Sequence, residues 1–201
     1  MYYDLHIHSA LSPCSDDLMT INNIFNMAYI KGLQLIAITD HNSLKQQYYL
    51  EKIIEHDILK GKIDYVHGVE LQSSEEIHLL AYFKKGSNLN VIQEWIDKHL
   101  IKVKNQSDYY GNQYIFNEFD EVIGIEDNLL ISSLDLNVYQ IVKKVHEFNG
   151  VVILAHVMAK RYGIYEVYHG IPDDLNYDGI EVESIKQLNE LKQLCKHLKD
   201  D

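Results

Sequence analysis

The sequence is poor in positive charge, in cysteine and in long apolar runs. Only 18 Lys and Arg stand against 30 Asp and Glu, a net charge of -12. That balance argues against an extended nucleic-acid surface, which needs clustered Lys and Arg. An acidic chain can still take a small phosphorylated substrate where metal cations reverse the local sign of the field. The two cysteines, Cys14 and Cys195, lie far apart, which suits reduced thiols better than a disulfide framework. No run is long and apolar enough to span a bilayer, and a first strand starting at Tyr2 leaves no room for a signal peptide. A cytoplasmic protein without a membrane partner is expected. There is no internal repeat, low-complexity tract or linker. With 201 residues at 46% hydrophobic content, the chain can bury one sizeable core, so a single domain over 1–201 is the default.

What the sequence does contain is a series of apolar strands edged by metal-ligand residue types. In Asp4-Leu5-His6-Ile7-His8-Ser9, strand alternation puts Asp4, His6 and His8 on one face and Leu5 and Ile7 on the other. Ile36-Ala37-Ile38-Thr39-Asp40-His41 ends an apolar strand in an acid and a histidine, and Val66-His67-Gly68-Val69-Glu70 places a carboxylate at a strand end. Ile77-His78-Leu79-Leu80-Ala81-Tyr82-Phe83 starts a fourth apolar run with a histidine, and Val151-Val152-Ile153-Leu154-Ala155-His156 ends a fifth with one. Such repetition is the pattern of a parallel barrel with one functional face. His67, an odd number of residues from Glu70, faces away from that site.

Between the strands the periodicity predicts helices. One has its N-cap at Thr20 and a buried stripe of Ile21, Ile24, Phe25, Ala28 and Tyr29, and ends at Gly32. Others are expected over 43–60, 89–107, 138–148 and 185–199. Two short strands at 114–119 and 128–131 form a hairpin, within an insertion at about 84–136. A sixth strand covers 178–183.

The ordered motifs Asp4-Leu5-His6-Ile7-His8-Ser9, Ile38-Thr39-Asp40-His41-Asn42, Gly68-Val69-Glu70, Ile77-His78-Leu79 and Leu154-Ala155-His156 resemble the PHP (polymerase and histidinol phosphatase) family of metal-dependent phosphoesterases. The resemblance implies a distorted (β/α)7 TIM-like barrel of the α/β class, with up to three divalent transition metals at the C-terminal ends of its strands. It assigns His6, His8 and Glu70 to a first metal. Glu70 bridges to a second, held also by His78 and His156, and Asp16 joins His41 at a third. Imidazole and carboxylate donors suit Zn, Mn or Fe. A bridging carboxylate holds two cations close enough to lower the pKa of a shared water, so that hydroxide, the expected nucleophile, forms near neutral pH. Asp4 and Asp40 stand where carboxylates can orient ligand histidines. The alternative for each is a strand-end cap or a solvated acid.

The chain departs from the family where members carry a late Asp-x-His on the last strand, since none follows Glu183. The expectation is a missing C-terminal strand, a first metal with three protein ligands and a third with only Asp16 and His41, unless Glu181 or Glu183 replaces the lost groups. A homo-oligomer could cover the exposed edge. Arg161, and less so Lys160, follow His156 where they could fork onto a phosphate. Cys14, close to Asp16, could be a metal-sensitive thiol, with a small buried hydrophobe the plainer reading. Of the tyrosines, Tyr162, Tyr165 and Tyr168 could stack on a nucleobase, with ordinary packing the plainer reading. The leading function is hydrolysis of a small phosphorylated metabolite or nucleotide. The alternatives are a catalytically weak metal- or nucleotide-binding module and an amidohydrolase-type C–N hydrolase.

Overall fold

The computed structural model describes residues 1–55, 59–195 and 198. In chain order its elements are β1 (Tyr3–Ile7), α1 (Ile21–Ile30), β2 (Leu35–Ile38), a 3-10 turn (Lys45–Tyr49) running into α2 (Leu50–Ile54), β3 (Asp64–Tyr65), β4 (His67–Gln72), β5 (His78–Phe83), α3 (Leu89–His99), α4 (Ser107–Tyr110), β6 (Tyr114–Phe116), β7 (Val122–Ile125), α5 (Val138–Glu147), β8 (Val151–Leu154), α6 (Ile164–Tyr168), β9 (Gly179–Ile180) and α7 (Ile185–Leu194). The chain is α/β with mixed sheets. Strands β1, β2 and β3 form a parallel sheet, and β4, β5, β8 and β9 form a second. A parallel bridge between His41 and Glu70 joins the two.

An all-parallel arrangement is not what forms. Strand β5 runs antiparallel to both β4 and β8, with Gln72 opposite His78 and Leu154 opposite Leu79. Reversal of β5 puts its N-terminal end beside the C-terminal ends of its neighbours, which is why a histidine that starts one strand meets one that follows another. Glu70 is correspondingly inside β4 and not at its end.

Alternation then sorts the side chains. Val69 and Leu71 of β4, Leu79, Ala81 and Phe83 of β5, and Val152 and Leu154 of β8 pack outward against Ile92 and Ile96 of α3 and Ile141, Val142 and Val145 of α5 in the main core. Ile36 and Ile38 of β2 meet Ile21, Ile24, Phe25 and Ala28 of α1 in a second. Inside lies a small cluster of Ala37, Leu80, Tyr82 and Ala155 with Leu5 and Ile153. Gly68 faces the same interior, where an added Cβ would sit 2.7 Å from Thr39 Cγ2.

Helix α1 begins where capping chemistry requires, with Thr20 Oγ1 accepting from the Asn23 N–H. Tyr29, expected in its buried stripe, is exposed. The expected helix over 43–60 is a 3-10 turn and one short α-turn, because the buried Gln46 and Gln47 are held sideways. Gln46 exchanges bonds with Phe116 N and O, and Gln47 Nε2 donates to Ile38 O. Residues 56–58 of that expected helix lie outside the described residues, as do 196–197 and 199 of the expected 185–199 helix. The 89–107 helix stops at His99. The hairpin pairs β6 with β7, so its second strand is Val122–Ile125, while Asn128 makes only an isolated bridge with Lys104. The sixth strand contracts to Gly179–Ile180. No described helix is long and apolar enough to cross a membrane.

Candidate metal centre

Glu70 is the hub of the interior. It is 1% exposed and five imidazoles surround its carboxylate. His78 Nδ1 lies 2.8 Å from Oε1, with His6 Nε2 and His156 Nε2 each at 3.3 Å. His8 Nε2 at 3.3 Å and His41 Nδ1 at 3.2 Å approach Oε2. Each element contributes through a specific local device. His6 and His8 reach Glu70 from the end of β1, where the register slips between Asp4 and Ile7. This bulge also separates residues that regular alternation would keep together. Leu5 packs in the interior while Ile7 packs against α1, and Asp4 is exposed. The Asp4 carboxylate accepts from the His6 backbone N–H at 3.2 Å within the strand, and among the described residues no hydrogen bond joins it to a ligand ring. His156 sits past the end of β8 in a turn with φ +28°, a strained left-handed geometry of the kind found at functional sites.

Asp40 is fully buried, and among the described residues its carboxylate makes no hydrogen bond to a histidine ring. It accepts from Ser9 N at 2.8 Å, Ser9 Oγ at 2.6 Å and Ser12 Oγ at 2.7 Å. Burial pushes its carboxyl above the usual range, against the pull of those bonds. Ser12 Oγ in turn accepts from His41 N at 3.1 Å and lies 3.2 Å from His8 Nδ1. Asp40 therefore positions two of the imidazoles through a serine, a relay with no signature in strand periodicity.

Electrostatically, burial works to raise the Glu70 carboxyl, but bonds from His156, His6, His78 and His8 hold it well below the usual range. Burial lowers the affinity of His6 for its proton, yet Glu181 and Glu70 outweigh it and lift the imidazole to about 10. His41, buried and surrounded by other imidazoles, falls to about 3.

Glu181 is the group that strand periodicity left as an afterthought. It follows β9, its Oε1 is 3.0 Å from His6 Nδ1 and its Oε2 accepts from His156 N at 2.8 Å. A carboxylate on the far nitrogen of a ligand histidine fixes ring and tautomer. Glu181→Gln is expected to weaken metal binding by about 10–100-fold, the usual range for such partners. Metal titration of the apoprotein measures this, and an unchanged affinity would remove Glu181 from the site.

The donors fit a transition metal. Ring nitrogens of His6 and His8 with a Glu70 oxygen all lie within 4.8 Å of one another, as do donors of His41, Glu70 and His78. His41 Nδ1 and His156 Nδ1 are buried without hydrogen-bond partners, although the former is 3.2 Å from Glu70 in a geometry that makes no such bond. Asp16, expected beside His41, is absent from these groups. It is exposed, and its Oδ1 accepts from Leu18 N at 2.8 Å, turning the chain toward α1. Cys14, expected to be buried, is exposed.

Lys160 and Arg161 lie in a cleft of about 270 Å³ together with Tyr162, Glu75, Glu76 and Glu166. The Tyr162 ring stacks on His78 at 4.2 Å and 9°, and its carbonyl accepts from His78 N at 2.9 Å. The cleft is thus joined to the histidine cluster by one side chain. Tyr165 packs against the main core, and the Tyr168 hydroxyl donates to Glu75 at 3.1 Å. His67 faces away, with Nδ1 3.3 Å from Gln47 Oε1.

Residues 4–169 match the family model described as PHP domain. No curated protein matches significantly. Among solved structures, the lesion-specific endonuclease Q of Pyrococcus furiosus superposes with a TM-score of 0.64 at 20% identity, covering 90% of this chain and 41% of that one. An endonuclease Q complex with a 27-mer duplex substrate bearing an abasic lesion gives 0.63 at 21% identity, covering 90% and 42%. A protein of Bifidobacterium adolescentis, assigned as a metal-dependent phosphoesterase, gives 0.63 at 14% identity and covers 96% of this chain and 82% of that one. The chain thus spans about two fifths of the length of the endonuclease Q chains.

Proposed function

The chain belongs to the PHP domain family, and from that premise we propose that it is a metal-dependent phosphoesterase acting on a small phosphorylated metabolite or nucleotide. The observation that carries this reading is a buried carboxylate, Glu70, ringed by five histidines. We read the two sheets as one distorted barrel of the (β/α)7 type, joined at the His41–Glu70 bridge. Between the edge strands β1 and β9 lies a groove lined by Tyr3, Asp4, His6, Tyr82, Ile180 and Glu181.

In this reading His6, His8, Glu70, His78 and His156 hold Zn, Mn or Fe, with His41 at a further position. When bound, such metals polarise the phosphoryl group and supply a nucleophile from water at neutral pH. The protein's own groups do the rest. Glu181 keeps His6 oriented, Asp40 and Ser12 keep His8 and His41 in place, and Tyr162 walls the site beside His78. Arg161 and Lys160, with no ion-pair partner among the described residues, are placed to take phosphate oxygens.

The endonuclease Q likeness favours a phosphodiester as one class of substrate. Long duplexes are disfavoured by the net charge of -12 and by Glu75, Glu76 and Glu166 at the cleft. The test is turnover by apoprotein reconstituted with Zn, Mn or Fe on p-nitrophenyl phosphate, bis-p-nitrophenyl phosphate, a nucleotide panel and an abasic duplex. Metal-dependent hydrolysis of the small esters is expected, with Arg161→Ala raising KM about tenfold, one charge-assisted contact's worth. Cleavage of amides but not esters would replace this reading with the C–N hydrolase.

A further inference from the structure

Building on the reading of His78 as a metal ligand, we propose that Gln72 is a positioning residue that makes His78 ligate through Nδ1, its side-chain oxygen holding the N–H of that ring on Nε2. The five imidazoles do not meet Glu70 alike. His6, His8 and His156 present Nε2, and the Nδ1 atoms of His6 and His8 face Glu181 and Ser12. His41 and His78 present Nδ1, and His78 does so in a 2.8 Å hydrogen bond to Glu70 Oε1. Its Nε2 lies 3.3 Å from Gln72 Oε1. A neutral imidazole carries one N–H, and the nitrogen that holds a cation is the one without it. With Nδ1 as the ligand atom the N–H is on Nε2. His78 is 5% exposed, so that N–H needs an acceptor from the protein.

The acceptor is fixed from its other end. Gln72 is itself 5% exposed, and its Nε2 donates to Ser133 Oγ at 3.1 Å, which leaves Oε1 to face His78. Turning the amide over would set its NH2 against the ring N–H. The backbone is held as well, with Gln72 N donating to Asn42 Oδ1 at 3.2 Å and Gln72 O accepting from Leu134 N at 2.8 Å. Asn42 in turn donates Nδ2 to Leu130 O and Ser132 O, each at 2.8 Å. The 130–134 segment therefore fixes Gln72 through its side chain, its carbonyl and Asn42.

The ring is equally constrained. Tyr162 covers one face at 4.2 Å, and His78 stands directly opposite Gln72 in the β4–β5 register. Rotating the imidazole to present its other edge would place a C–H against Glu70 and lose both hydrogen bonds. An amide oxygen also supplies the acceptor without a second anion beside the buried Glu70 carboxylate. A partner on the far nitrogen of a ligand histidine sets its tautomer and orientation, and Gln72 does for His78 what Glu181 does for His6.

The experiment is NMR of the full-length protein with isotopically labelled histidine, loaded with NMR-active cadmium, together with zinc affinity measured against a chromophoric chelator. The expected result is cadmium coupling to Nδ1 of His78 and a proton on its Nε2, the resonances being those lost in His78→Ala. Gln72→Leu is expected to weaken zinc binding by about 10–100-fold, the usual range for partners of ligand histidines, and to remove that coupling. Gln72→Glu, which keeps an acceptor at the same reach, is expected to restore both. A side chain that only fills space would be replaced by leucine without loss and would not distinguish leucine from glutamate. Ser133→Ala frees the amide without altering Gln72 or His78, and is expected to weaken zinc in the same direction by less. Cadmium coupled through Nε2 of His78, cadmium bound with no coupling to His78, or wild-type zinc affinity in a folded Gln72→Leu protein overturns the proposal while leaving the phosphoesterase reading intact. Should Gln72→Leu not fold, unchanged zinc affinity in Ser133→Ala overturns it instead. Failure of the wild type to bind either metal overturns both.

Discussion

Glu70→Gln is expected to reduce metal affinity and phosphoesterase turnover by more than about 100-fold, the upper figure for groups that only orient ligands. The substitution preserves shape and removes charge. Both carboxylate oxygens lie 2.8–3.3 Å from imidazole nitrogens. An amide offers one uncharged oxygen in place of two anionic ones, a weaker ligand for a divalent cation. Of the two carboxylates that face the ring nitrogens, Glu181 is the more open, its side chain 33% exposed against 2% for Glu70. Elemental analysis after reconstitution, with circular dichroism to confirm folding, measures the effect. Wild-type metal content in the variant would show that Glu70 organises the histidines without ligating.

His78→Ala and His156→Ala are each expected to lose bound metal and at least about tenfold in turnover, since each removes one of a few ligands. They should differ in how the loss is repaired. The His156 side chain is 25% exposed and the His78 side chain 6%, and His78 lies under Tyr162. Added imidazole should therefore restore activity to His156→Ala far better than to His78→Ala. The His78 variant should also lose stability, on the order of 2 kcal/mol for the buried ring deleted from between Tyr162 and β4. Equal rescue of both, or unchanged metal stoichiometry in both, would contradict the placement of these histidines around Glu70.

Much of this centre is written in residue order. The spacing of His6 and His8, the acid and histidine closing Ile36-Ala37-Ile38-Thr39-Asp40-His41, and the histidines that open and follow two apolar runs are local patterns. Local alternation reports which face a side chain takes. The Thr20 cap and most of the α1 stripe are legible for the same reason, and so is the outward turn of His67. Chain direction is not local. Whether the run starting at His78 lies parallel or antiparallel depends on backbone bonds to Gln72 and Leu154 that no periodicity encodes.

The sequence by itself determined the α/β class, the apolar faces and the family, because these follow from side-chain period and from motifs in order. Only the tertiary structure decided the details at the centre. A bulge in β1 turns Asp4 away from the histidines. The return of the chain after β8 brings Glu181 onto His6 across 175 positions of sequence. The loop after β1, tied to the distant Tyr114 N through Ala10 O, leaves Asp16 outside the histidine groups. Each rests on contacts between distant segments, whose geometry is set by backbone hydrogen bonding and close packing and not by the neighbours of a residue in the chain.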